Sequence, residues 1–253
     1  MITCGCKGIR FCKLCEDSPR VRAINDNSSQ IRDSQLFCIP CSTAGPCPHN
    51  PSAKPSSFRG VAVYTDFIST SEETTIVESI DEGDWAPSQS GRCKQDFGPR
   101  ANYKKQKLKL DGFKGLPRST LFLRERLAKL TELTDFIPAE QCNLDYLPER
   151  GSAIDFHFDD FWLWGERLVI VNLLSDSFLI FNLEEEYVKV PLPRRSLIIM
   201  RQDGRFKWKH AIAREDIVSR RISVTFRELS EKFLIGDRVE DGNKMIEIAS
   251  QLI

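Results

Sequence analysis

The chain has 253 residues, 41% hydrophobic and 28% charged, and its 36 basic and 36 acidic side chains leave a formal net charge of zero. That length suits one full-sized domain plus an appendage. The balance of charge excludes a chain that is globally polyanion-binding or membrane-seeking, so only local clusters can meet a charged partner. No run reaches the ~18–20 apolar residues of a membrane span. The N-terminal MITCGCKGIRFCKLC has no apolar stretch resembling a signal peptide. The expectation is an intracellular location, cytoplasmic or nuclear, with no membrane partner.

Seven of the nine cysteines fall in the first 47 residues: Cys4, Cys6, Cys12, Cys15, Cys38, Cys41 and Cys47. In a reducing compartment such clustering reads first as metal ligation. Cys4, Cys6, Cys12 and Cys15, spaced C-x-C-x5-C-x2-C, are candidates for a tetrahedral structural Zn2+ site. Cys38, Cys41, Cys47 and His49, spaced C-x2-C-x5-C-x-H, roughly mirror them as a second four-ligand set. Ligands shared between the two sets are the alternative. Residues 1–57 are rich in Cys, Ser, Pro and Asn, are poor in apolar periodicity and end in the linker-like PHNPSAKPSSF. They read as a Cys-rich extension, with the main domain over 58–253. Cys93 and Cys142 stand alone and read as small packing residues.

Residues 60–68, GVAVYTDFI, alternate as a strand. SEETTIVESID then reads as a helix, with Ser69 three residues before Glu72 as a capping box. Residues 85–117 are mostly polar and basic and read as a long loop or hairpin outside the core. Residues 119–136, STLFLRERLAKLTELTDF, carry apolar side chains at helical spacing up to Pro138. From 140 onward short β-rich runs follow one another: AIDFHFD, RLVIVNLL, SFLIFNL, YVKVPLP, SLIIMRQ, WKHAIA and RRISVTFREL. The expected fold is mainly β with flanking helices (α+β), an antiparallel sandwich or barrel over 140–230, closed by a helix at about 240–253.

The chain has three histidines, His49, His157 and His210. In IDFHFDDF, alternation puts His157 and Asp159 on one face of a strand, ~6.6 Å apart along it, with Phe156 and Phe158 turned to the other face and a core. His210 in WKHAI is the remaining histidine of the β-rich region. Two imidazoles and one carboxylate around open positions form the facial triad of non-haem Fe(II) oxygenases. An HxD by itself occurs in many strands that bind no metal, and a lone buried histidine is commonly a satisfied core residue. RRISVTFREL adds weight, because Arg221, Ser223, Thr225 and Arg227 share one face and Ile222, Val224 and Phe226 the other. Arginines turned into a sandwich need anionic partners. Six residues span ~20 Å, so Arg221 and Arg227 would bracket a site and not share one carboxylate. An edge strand with its polar face in water is the other reading of this pattern.

Taken together, HFD at 157–159, WKHAI around His210, and Arg221 with Arg227 resemble the AlkB-type Fe(II)/2-oxoglutarate dioxygenases. CGCKGIRFCKLCE, SQSGRCKQDFGPRANYKKQKLK, EQCNLDYLPERGSAID and DDFWLWGERLV are similar, in the same order, to the AlkB homologue 4 group within that family. The resemblance implies a double-stranded β-helix (jelly roll) with Fe(II) held by His157, Asp159 and His210. It implies 2-oxoglutarate held by Arg221 at its distal carboxylate and by Arg227 near the metal, and O2 as co-reactant. Asn143 and Tyr146 in NLDYLPERG match the family's cosubstrate-touching Asn and Tyr, although this sequence has an extra residue between them. The implied reaction is oxidative demethylation, with 2-oxoglutarate converted to succinate and the methyl carbon lost as formaldehyde.

Between Arg92 and Lys109 lie seven basic residues: Arg92, Lys94, Arg100, Lys104, Lys105, Lys107 and Lys109. In the family this region is a substrate-facing lid, which a nucleic-acid backbone or an acidic protein surface would suit and which water alone can also satisfy. Phe97 and Tyr103 offer faces for stacking or for ordinary packing. The resemblance implies methyl-lysine on actin, in the actomyosin machinery, as the leading substrate, with N6-methyladenine in DNA as the alternative. Trp162 and Trp164 are candidate walls for a methyl-ammonium group through cation–π contact, or ordinary packing residues. A sandwich that binds actin or nucleic acid without chemistry is the competing class, but such a binder has no need of His157, Asp159, His210, Arg221 and Arg227 together. A hydroxylase with a stable product would use the same site.

Overall fold

The computed structural model describes residues 4–8, 10–22 and 34–253. Residues 1–3, 9 and 23–33, all within the expected Cys-rich extension, lie outside the described residues. The strands are β1 (Gln35–Leu36), β2 (Val61–Tyr64), β3 (Ala86–Pro87), β4 (Cys93–Phe97), β5 (Arg100–Asn102), β6 (Lys107–Lys109), β7 (Glu140–Tyr146), β8 (Ile154–His157), β9 (Trp164–Leu173), β10 (Ser177–Leu183), β11 (Glu186–Leu192), β12 (Leu197–Met200), β13 (Lys209–Ile212) and β14 (Arg221–Leu229). The helices are α1 (Pro19–Arg22), α2 (Thr70–Asp81), α3 (Leu121–Leu127), α4 (Gln202–Phe206), α5 (Glu231–Leu234) and α6 (Val239–Ser250). None is long and apolar enough to cross a membrane.

The strands from β7 on wind as the jelly roll requires. β7, β9, β12 and β14 enter a seven-stranded sheet in the order β2-β12-β9-β14-β7-β4-β3, while β8, β10, β11 and β13 enter a five-stranded sheet in the order β1-β11-β10-β13-β8. Successive strands thus cross between two facing sheets, apart from the β10–β11 hairpin, and the eight form the double-stranded β-helix. The large sheet is buried on both faces. Leu168 and Ile170 of β9 and Ile198 of β12 point between the sheets. Val169 and Val171, with Ile222, Val224 and Phe226 of β14, point outward beneath Ile76 and Ile80 of α2 and Leu123 and Leu127 of α3. Helix α2 starts where the motif predicts: the Ser69 hydroxyl accepts from the Glu72 amide, and the Glu72 carboxylate accepts from the Ser69 amide.

Three expectations are corrected. Residues 85–117 are not wholly outside the core: β4 pairs antiparallel with β7, Cys93 is buried, and only β5 and β6 form a separate two-stranded hairpin. The alternation in CKQDF was masked by its polar side chains, which a flanking strand tolerates. The helix over 119–136 stops at Leu127 and resumes as a single 3-10 turn over Thr131–Leu133, because Leu130 is extended. The apolar spacing still serves, since Leu123, Leu127, Leu133 and Phe136 are all buried. Phe156 and Phe158 do not enter a core. Both are half-buried, against Tyr187 and Phe161 respectively, because β8 ends the smaller sheet and its outer face is uncovered.

Beyond β14, α5 and α6 pack closely enough that a Cβ added at Gly242 would lie 1.8 Å from the Phe233 carbonyl oxygen. Gly242→Ala is therefore expected to lower stability by about 1–3 kcal/mol, the usual scale of overpacking, read as a drop in Tm with the β signature of the circular dichroism spectrum unchanged.

Candidate active site

Strand register builds the site. His210 of β13 is the cross-strand partner of His157 of β8, so both imidazoles stand on the inner face with ring centroids 4.3 Å apart. Asp159 follows two residues after His157, and its Oδ2 lies 3.6 Å from His210 Nε2. One ligand atom from each of His157, Asp159 and His210 lies within 4.8 Å of the others, a spacing that one ion can bridge. The Nδ1 of His157 is 2.8 Å from the Asp155 carbonyl oxygen. That carbonyl can only accept, so the proton sits on Nδ1 and Nε2 is free to ligate.

Electrostatics prepare the same three groups. Burial pushes His210 down to about 3, helped by the neighbouring His157, and burial also lowers His157. Both are therefore neutral at pH 7, as a metal requires. Burial by itself would raise Asp159, but the Arg227 guanidinium holds it well below the carboxylate range. Arg227 donates to Asp159 Oδ1 at 2.9 Å and to Glu140 Oε2 at 2.6 Å, spanning the half-buried and the buried carboxylate.

The cavity beside these groups is lined by Leu144, Tyr146, Ser223, Thr225, Arg221 and Arg227 among others. Arg221 is 1% exposed. Its Nε donates to Asn172 Oδ1 at 2.6 Å, and its guanidinium lies 4.8 Å from the Tyr146 ring centroid. Its Nη1 is buried without a partner among the described residues. A buried cation lacking an anion is costly, and a carboxylate entering the cavity would remove that cost. The donor set, a neutral His pair plus one ionised Asp with an unpaired Arg nearby, fits Fe(II) with a dicarboxylate.

The sequence-derived cosubstrate pair is divided. Tyr146 is the register partner of Arg221 and shares its face. Asn143 does not: three residues from Tyr146, it points to the opposite face, where it bridges Gln95 and Gln141 at 2.9 and 3.0 Å. Its assignment to the cosubstrate is corrected by the parity of the strand. Trp162 packs against Phe233 and Arg238, away from the cavity. Trp164 is buried, with Arg227 over its ring at 5.9 Å and its Nε1 3.3 Å from Tyr103 Oη. Neither forms an open aromatic wall. Cys4, Cys6, Cys12 and Cys15 do converge within 4.8 Å, with Cys12 Sγ 3.7 Å from Cys4 Sγ and 3.9 Å from Cys15 Sγ. Those separations match the ~3.8 Å edge of a tetrahedron built on Zn–S bonds of ~2.3 Å. The cluster abuts the His157 strand, because Ser90 donates its amide to Cys6 Sγ and its hydroxyl to Asp155.

Three residues escaped the sequence reading. Glu140 shares the inward parity of Tyr146 and was findable from it. Asn172, a lone amide in the apolar RLVIVNLL, carried a visible signal. Arg205 of α4, 2% exposed, gave none: it donates to the backbone carbonyls of Asp159, Asp160, Trp164 and Gly165 and fixes the turn that holds Asp159. On the hairpin, Arg100, Lys104, Lys105, Lys107 and Lys109 are exposed and form no ion pair among the described residues. A groove of about 640 Å3 runs beside the hairpin and is lined by Arg100, Tyr103, Lys94, Phe97 and Glu140, among others.

No family model matches the chain. It is 40% identical to the human alpha-ketoglutarate-dependent dioxygenase alkB homolog 4 over 97% of its own length and 93% of that protein's. It is 33% identical to the Caenorhabditis elegans DNA N6-methyl adenine demethylase over 98% and 94% of the respective chains. The solved structure of OsALKBH1 shares the fold, with a TM-score of 0.50 at 14% identity over 68% of this chain and 98% of that one. With this extent of identity, the chain belongs to the alkB-homologue family of alpha-ketoglutarate-dependent dioxygenases.

Proposed function

We propose that this dioxygenase is an oxidative N-demethylase whose Fe(II) is held by His157, Asp159 and His210. The observation that carries the reading is the orphaned Nη1 of Arg221 in the same cavity as the two-imidazole, one-carboxylate cluster. Iron(II) with 2-oxoglutarate and O2 supplies the oxidising chemistry that releases an N-methyl group as formaldehyde. The chain's own side chains do the positioning. Arg221, set by Asn172 and stacked on Tyr146, receives the distal carboxylate. Arg227 keeps Asp159 ionised, and Arg205 fixes the turn that presents it. Residues 58–253 are the proposed catalytic domain. Residues 1–57 are the proposed Cys-rich extension, with Cys4, Cys6, Cys12 and Cys15 around a structural Zn2+.

For the substrate we favour N6-methyladenine in DNA. The unpaired basic residues of the β5–β6 hairpin suit a phosphate backbone, and one relative carries that activity in its name. A protein bearing methyl-lysine, such as actin, is the second reading, since an acidic surface would suit the same hairpin. The occupied face of Trp164 removes the aromatic cage that spoke for methyl-ammonium.

The reading is tested by mass spectrometry of N6-methyladenine oligonucleotides and methyl-lysine actin, each incubated with the protein, Fe(II) and 2-oxoglutarate. Demethylation of the oligonucleotide, lost in His157→Ala, is expected; full turnover by that variant would sink the iron assignment. Arg221→Met should weaken 2-oxoglutarate binding by roughly 30-fold or more, the cost of removing one partner of a buried charge pair (about 2 kcal/mol or more), measured by calorimetry on metal-loaded protein. Arg205→Met should remain folded and lose about 10–100-fold in Fe(II) affinity, measured by competition with a chromogenic chelator.

A further inference from the structure

We infer that Cys38, Cys41, Cys47 and His49 form a closed structural Zn2+ site that fastens β1, the edge strand of the sheet that carries His210. One ligand atom from each of the four lies within 4.8 Å of the others, and Cys41 Sγ is 3.2 Å from His49 Nδ1. Ligand bonds of ~2.3 Å to sulfur and ~2.0 Å to nitrogen put tetrahedral S···N edges near ~3.5 Å and S···S edges near ~3.8 Å, so these four fit one ion. All three cysteines are free thiols, and none is fully buried. Free cysteine is ordinarily among the most buried residue types, so packing does not account for three half-exposed thiols meeting one imidazole. Ligation does. Three sulfurs and one nitrogen select zinc and leave no open position for substrate.

The backbone is shaped for such a site. Cys38 and Thr43 exchange amide hydrogen bonds at 2.7 and 3.3 Å, and Cys47 and Asn50 do so at 3.2 and 3.0 Å. Each exchange closes a tight turn, and Ser42, just after Cys41, takes a left-handed φ of 51°. These turns bring Ala44 into the core but otherwise bury little of their own, so their geometry lacks an apolar reason to persist. An ion would supply one.

What the ion would hold follows from the flanking residues. Just before Cys38, β1 runs parallel to β11, and the Phe37 amide donates to the Lys189 carbonyl at 3.0 Å. Phe37 stacks edge-on against Phe58, which packs on Phe181 and Trp208 at 4.8 and 5.0 Å. Phe181 is the register partner of His210. The metal would therefore pin residues 38–49, between Phe37 and Phe58, whose two phenyl rings pack in the core on the face that carries His210.

The test is zinc content and Co(II) spectroscopy of the full-length chain, with the Cys4 set as internal comparison. Cys41→Ser and His49→Ala are each expected to lose one zinc ion per chain relative to wild type. A Cys12→Ser variant should lose its own and keep this one. His49→Cys guards against simple misfolding: it should keep the metal, and its Co(II) form should gain thiolate-to-cobalt absorption over wild type. In His49→Ala, amide exchange at Phe37 and along β11 should accelerate at least tenfold. Unchanged zinc content in both Cys41→Ser and His49→Ala overturns the assignment. So does a Co(II) spectrum that His49→Cys leaves unaltered.

Discussion

Two guanidinium groups on β14 are buried inside a β-sandwich, and the rest of the site is arranged around the anions they require. Arg227 has its anions in place, Asp159 and Glu140. Among the described residues, Arg221 has an amide oxygen, an aromatic face and one nitrogen with nothing to bond. Under the proposed reading, a doubly charged cation and a doubly charged dicarboxylate enter together and cancel each other's charge. Either one alone would leave a net charge in a low-dielectric interior, which is expensive. Iron and cosubstrate therefore favour each other through the electrostatics of the chamber as well as by direct ligation.

The ionisation states follow from the same burial. An isolated carboxyl in that chamber would take up a proton, and Glu140, where burial outweighs Arg227, is indeed raised. Asp159 escapes because the Arg227 guanidinium bears directly on it. Burial then keeps the two imidazoles neutral. One environment thus pushes acid and base in the directions that make each a competent metal ligand, with neighbours deciding where burial alone would fail.

How much of this was legible depended on strand parity. In RRISVTFREL the alternation of Arg221, Ser223, Thr225 and Arg227 with Ile222, Val224 and Phe226 announced a strand with two different faces, because the large sheet has helices on one side and the cavity on the other. The same rule decided against Asn143: three residues from Tyr146 means opposite faces, whatever the motif matches. It also made Glu140 findable. Parity does not tell which sheet face is covered, so it places Phe156 and Phe158 in a core that the edge position of β8 does not provide. Nor could it find Arg205, whose role is to reach backbone carbonyls far along the chain; contacts to main chain leave no residue-type signature.

Under the proposed reading, a contact of Tyr103 joins the substrate-facing hairpin to this chemistry. Tyr103, at the tip of the basic hairpin, reaches Trp164 Nε1 with its hydroxyl, and Trp164 lies beside Arg227, which holds Asp159. A polyanion lying along Lys104, Lys105 and Lys107 would therefore press on a hairpin that is two side chains away from the metal-facing carboxylate. Tyr103 is half-exposed in this arrangement and is pushed up to about 12, chiefly by burial of its hydroxyl and then by Glu140. It remains a neutral donor or acceptor across the physiological range and carries no charge into the site. Substrate docking can then be felt at Arg227 through packing and hydrogen bonding, while the charge balance that holds Asp159 ionised stays undisturbed.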